Sequence, residues 1–141
     1  MAEAIARATA AKRGLAEVAV SSAGVSAGTG SAASDGATLV ALEHGLSLAE
    51  HRSRPLTPEL VARADLILVM GPGHLEFANA TGGAGKTFLL SEFASYGEVS
   101  GGVSDPFGAD LATYRRTYGE LQEAVSRVFD RLAAGYPEPG A

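Results

Sequence analysis

The segment Ala80-Thr81-Gly82-Gly83-Ala84-Gly85-Lys86-Thr87 nearly matches the phosphate-binding pattern Gly-x-x-x-x-Gly-Lys-Thr, with Ala in the first Gly position. Such a loop works when it follows a strand and opens a helix, because backbone N–H groups and the helix N-terminus then face the phosphates. Here the order is reversed: residues 74–79 read as helix and residues 87–90 as strand. The apolar run at 66–70 ends in Gly71 and supplies no Asp for Mg²⁺. A plain helix-to-strand loop is therefore expected, with nucleotide binding as its rival. His44, His51 and His74 lie on different elements and share no metal-ligand spacing, so no metal is expected. His44 reads as a helix C-terminal residue and His74 as a solvated first-turn residue. Asp105-Pro106 sits in a glycine-flanked loop, and on its own such a pair is more often a turn than a proton donor, so a turn is expected from these residues alone. There is no Gly-x-Ser-x-Gly elbow, and Ser21 and Ser22 have no evident base. The 141 residues contain no cysteine, which removes a thiolate nucleophile, a thiolate metal site and a disulfide framework from these side chains.

The elements that must position these residues follow from periodicity and caps. Residues 1–13 read as an amphipathic helix closed by Gly14, with no Ser, Thr, Asp or Asn to cap its start. Residues 17–22 read as a short strand and 24–34 as a Gly/Ser/Ala loop. Ser34 caps a helix carrying Leu39, Val40 and Leu42 that stops at Gly45, and Thr57-Pro58-Glu59 starts another. The run Leu66-Ile67-Leu68-Val69-Met70 suits a parallel strand covered on both faces. A helix from Pro72, a strand at 87–90, a loop at 101–108 and a long helix over 111–134 complete the chain. Alternating strands and helices indicate an α/β domain with a mostly parallel sheet flanked by helices on both faces. One domain is expected over 1–136, followed by a frayed tail at 137–141.

Composition narrows the function classes. With 11 basic and 16 acidic side chains the net charge is −5, and no Lys/Arg cluster of the kind nucleic-acid binding requires is present. The longest apolar run is far short of a membrane span and residues 1–15 offer no signal-peptide core, so a cytoplasmic protein without nucleic-acid or membrane partners is expected.

Six segments in order resemble the low-molecular-weight phosphotyrosine phosphatase family, particularly its bacterial branch that includes protein-arginine phosphatases. They are Met1-Ala2-Glu3-Ala4, Val20-Ser21-Ser22-Ala23-Gly24-Val25, and His51-Arg52-Ser53-Arg54-Pro55-Leu56-Thr57. Then come Ala64-Asp65-Leu66-Ile67-Leu68-Val69-Met70, Phe88-Leu89-Leu90-Ser91-Glu92-Phe93, and Asp105-Pro106-Phe107-Gly108 followed by Tyr114-Arg115.

The resemblance implies a four-stranded parallel sheet and hydrolysis of protein phosphotyrosine or phosphoarginine through a phosphocysteine intermediate, with no cofactor. It implies that Asp105 is the general acid, that Pro106 and Phe107 shape the pocket wall, and that Ser22 and His51 brace the phosphate loop from behind. The family's first strand and its Cys-x-x-x-x-x-Arg-Ser-Pro loop match nothing in this chain; Met1 aligns with the residue after that motif. The sheet is therefore expected to lack that strand and the chain as given to be inactive. An internal methionine taken as the start is the favoured explanation, with a pseudophosphatase-like interaction module as the alternative. The substrate expected of a complete form is a phosphorylated protein or peptide.

Overall fold

A computed structural model describes residues 1–15, 17–25 and 28–136. The frayed tail expected at 137–141 lies outside the described residues. The elements in order are α1 (Ala2–Lys12), α2 (Asp35–Glu43), α3 (Pro58–Arg63), β1 (Ile67–Val69), α4 (Pro72–Ala78), β2 (Thr87–Leu89), α5 (Leu90–Ala94) and α6 (Leu111–Ala133). A wide turn at Asn79–Gly83 extends α4 and breaks at Gly82, whose φ of 112° lies where side chains are disfavoured.

Strands β1 and β2 pair in parallel, Ile67 opposite Thr87 and Val69 opposite Leu89. The continuous apolar run of β1 follows from burial on both faces, since successive side chains point to opposite sides of a strand. Leu66, Leu68, Met70 and Phe88 pack on the main core, built from α1, α2, α5 and α6. Ile67, Val69 and Leu89 turn the other way, into a smaller core with Ala78, Leu56 and Leu75. The amphipathic α6 spans the main core with Tyr114, Tyr118, Leu121, Val125, Val128 and Phe129 buried.

Helix starts follow the caps. Ser34 Oγ accepts from the Ala37 amide and Thr57 Oγ1 from the Leu60 amide, while α1 begins at Met1 with no side-chain cap. The buried face of α2 is Ala37, Val40 and Ala41; Leu39 and Leu42 are 50% and 57% exposed.

Two local readings change. Residues 17–22 form no strand, because no strand among the described residues pairs with them. Their carbonyls are taken by side chains instead: Arg7 donates to Val20 O through Nε and Nη2 at 3.1 and 3.0 Å, and Arg54 Nε donates to Ser22 O at 3.0 Å. The strand expected at 87–90 stops at Leu89, because Leu90, Phe93 and Ala94 have the i, i+3, i+4 spacing that buries one face of α5.

Candidate functional site

Ser22 and His51 come together. They line a concavity of about 220 Å³ with Ala23, Gly24, Arg52, Ser53 and Arg54. Its two walls are joined by an isolated parallel bridge between Gly24 and Pro55, in which the Gly24 amide donates to Arg54 O and the Leu56 amide to Gly24 O, both at 2.9 Å. Ser53 fastens the neighbouring loop, its hydroxyl donating to Gly28 O at 2.7 Å and accepting from the Ser31 amide at 3.0 Å.

Glu3 is the residue that sequence reading passed over. Its carboxylate lies 3.4 Å from His51 Nδ1 and 3.6 Å from the Arg7 guanidinium. Arg7 in turn holds the Val20 carbonyl, so α1 ties together both walls of the concavity. The i, i+4 spacing of Glu3 and Arg7 was the available signal for one half of this chain. The other half, to His51, spans distant sequence.

Asp105, Pro106 and Phe107 do not line the concavity. They stand on the loop that passes the carboxyl end of β1, where the Val103 amide donates to Met70 O at 2.8 Å. Asp105 is exposed, and its Oδ1 accepts from the Phe107 amide at 3.0 Å, an Asx turn of the kind an Asp-Pro pair favours. Pro106 is half-buried and Phe107 is 78% exposed. The loop runs directly into α6, whose cap Asp110 accepts from both the amide and the hydroxyl of Thr113 at 2.9 and 2.8 Å. Those two donors hold the Asp110 carboxyl below its ordinary range.

The phosphate-loop pattern at 80–87 has the reversed order expected: a helical turn enters it and β2 leaves it. Lys86 Nζ donates to Val61 O at 2.6 Å and Ala64 O at 2.7 Å, clasping the C-terminal carbonyls of α3. The other histidines stand apart. His44 caps the C-terminus of α2, its Nδ1 3.0 Å from Val40 O and its ring stacked 3.9 Å from that of Tyr118, whose phenol is pushed up by burial. His74 is exposed in the first turn of α4. Among the described residues no three His, Asp or Glu side chains are grouped to hold a metal ion, and no helix is long and apolar enough to cross a membrane.

The sequence model of the family described as low molecular weight phosphotyrosine protein phosphatase matches residues 1–136. The chain belongs to that family. It is 36% identical over 134 residues to the protein-arginine-phosphatase of Bacillus subtilis (strain 168), covering 94% of this chain and 87% of that protein. To the probable low molecular weight protein-tyrosine-phosphatase AmsI of Erwinia amylovora it is 32% identical over 124 residues, or 86% and 83% of the two chains. The solved arginine phosphatase YwlE of Geobacillus stearothermophilus superposes with a TM-score of 0.85 at 33% identity, covering 99% of this chain and 88% of that one. The structure thus shares the α/β architecture of the low molecular weight phosphatases, with two paired strands among its described residues.

Within this phosphatase family member the chemistry the side chains offer is acid–base and electrostatic. The concavity is edged by His51, Arg52 and Arg54, with one carboxylate, Glu3, behind it. A thiolate nucleophile is not among the 141 residues.

Proposed function

We propose that this chain carries the proton-donor and bracing parts of a protein phosphatase acting on phosphotyrosine or phosphoarginine in proteins, and that residues 1–141 alone do not turn over. The match to the family across residues 1–136, in a sequence without cysteine, carries this reading. In the family's reaction a cysteine thiolate attacks phosphorus, an S–P bond forms and the P–O or P–N bond to the substrate breaks. Asp105 is assigned the proton that the leaving oxygen or nitrogen takes up, and it recovers a proton from the water that then cleaves the S–P bond. Its exposure on a loop at the carboxyl end of β1 supports the assignment, since ligands of open α/β sheets bind outside that end. Pro106 stiffens the segment and Phe107 supplies the wall against the substrate. Ser22 and His51, held by Arg54 and Glu3, brace whatever occupies the concavity.

The test has two arms. The purified chain is assayed with p-nitrophenyl phosphate and with an arginine-phosphorylated protein, and no hydrolysis above the blank is expected. Turnover that follows the chain through purification and disappears on replacing one of its residues overturns the reading. In the second arm an apolar strand and a Cys-x-x-x-x-x-Arg-Ser-Pro segment are joined ahead of Met1. Activity is then expected, and Asp105→Asn is expected to cut kcat roughly 10²–10⁴-fold for a poor leaving group, with less effect on p-nitrophenyl phosphate. Phosphate-analogue binding is expected to persist in Asp105→Asn, and Glu92→Gln to change kcat little.

The second reading, an interaction module without turnover, draws on the edge of β1 away from β2, which has no paired strand among the described residues. A stably folded but inactive extended protein favours it.

A further inference from the structure

We propose that Ser91 is a positioning residue for the segment that carries Asp105. The meaning of this for catalysis rests on the proton-donor reading above; the anchor itself does not.

Ser91 is the second residue of α5, whose other face is driven into the core by Leu90, Phe93 and Ala94. That burial gives the Ser91 backbone a firm place, and its carbonyl is occupied by the amide and hydroxyl of Ser95 at 3.2 and 2.8 Å. The Ser91 hydroxyl is directed outward and donates to Gly101 O at 2.5 Å. Gly101 has a φ of 92°, a conformation that glycine adopts freely. The following residue, Gly102, lies so close to the end of β1 that a Cβ there would land on the Met70 carbonyl oxygen. The next residue, Val103, donates its amide to that same oxygen at 2.8 Å.

Beyond Val103 the hydrogen bonds are local. The Phe107 amide donates to Asp105 Oδ1, and the Ala109 amide to Pro106 O. Among the described residues no hydrogen bond ties 104–109 to the body of the protein before the Asp110 cap of α6. The segment carrying Asp105 is therefore held at its far end by the Asp110 cap of α6 and at its start by Val103, which packs on the main core, and by two hydrogen bonds, one from the end of β1 and one from α5. The bond from β1 is made by backbone groups and is available to many sequences. The bond from α5 is made by a side chain, so the identity of residue 91 decides whether it forms. A β-branched threonine keeps a hydroxyl at the same distance from the backbone, whereas alanine removes the donor and leaves Gly101 O to water.

Amide hydrogen exchange on the 141-residue chain tests this directly. Ser91→Ala is expected to speed exchange at Val103 by roughly 3–10-fold, the loss of one ordinary hydrogen bond. Exchange at Tyr118 and Val125 in α6 should be unchanged, and Ser91→Thr should restore the protection at Val103. Unchanged Val103 exchange in Ser91→Ala refutes the proposal. So does acceleration of equal size throughout α6 that Ser91→Thr fails to repair, because that is general loosening of the core. If, in the extended protein, Asp105→Asn leaves kcat unaltered, the proton-donor reading fails while the exchange result on Ser91 still stands or falls alone.

Discussion

Replacing Lys86 by Met separates a structural clasp from a phosphate ligand. The change keeps an apolar stem of similar length and deletes the ammonium, which donates to Val61 O at 2.6 Å and Ala64 O at 2.7 Å. Helix α3 has six residues, too few to persist without tertiary support, and its Leu60 and Val61 carbonyls share a single backbone donor, the Ala64 amide. A cation at that end also meets the negative pole of the helix. A hydrogen bond from a charged donor contributes about 1.5–3 kcal/mol net. The two bonds do not count twice: one ammonium makes both, and Val61 O keeps the Ala64 amide at 3.3 Å. The expected loss is therefore that of a single charged bond, about 1.5–3 kcal/mol. In a domain of this size it corresponds to a fall in Tm of roughly 5–10 °C. Urea denaturation followed by far-ultraviolet circular dichroism should show a lower midpoint with an unchanged slope. Thermal melts with and without Mg-ATP should coincide for both proteins. If Lys86→Met is as stable as the parent, and ATP stabilises the parent but not the variant, the clasp is wrong and residues 80–87 bind phosphate.

Three further outcomes follow from local geometry. Gly102→Ala forces its Cβ against Met70 O and disrupts the Val103 amide bond, so stability should drop by about 1–3 kcal/mol in urea titrations. Gly119 sits in the exposed interior of α6 with open space around a Cβ, so Gly119→Ala should raise stability by about 0.5–1 kcal/mol. Asp110 binds its proton less readily in the folded protein than in the unfolded chain, because Thr113 donates two hydrogen bonds to the carboxylate. Its stabilisation is complete above the unfolded value of 3.8 and disappears as pH falls through the lower folded value. Tm measured against pH should therefore decline less steeply in Asp110→Asn than in the parent on that acid side.

What the sequence by itself determined is what depends on neighbours along the chain. Ser34 and Thr57 cap helices because their hydroxyls reach amides three residues on, and the apolar run 66–70 holds strand β1 and packs on a core at each face. The ordered segments from Met1-Ala2-Glu3-Ala4 to Asp105-Pro106-Phe107-Gly108 sufficed to indicate the family, and the reversed element order argued against a working phosphate loop. Tertiary structure decided what depends on partners far away. Residues 17–22 have strand-like side chains, yet a ladder needs a second strand, and Arg7 and Arg54 take the carbonyls instead. In α2 the smaller Val40 and Ala41 are buried while Leu39 and Leu42 face outward, because α6 packs on that side and periodicity alone cannot say which face a neighbour covers. Glu3 meets His51, and Lys86 meets the end of α3, across 48 and 22 residues of chain. Such contacts are selected by folding as a whole, since the partners lie far apart along the chain and become neighbours only once their elements have packed: α1 on the main core, and α3 against the turn at 79–83.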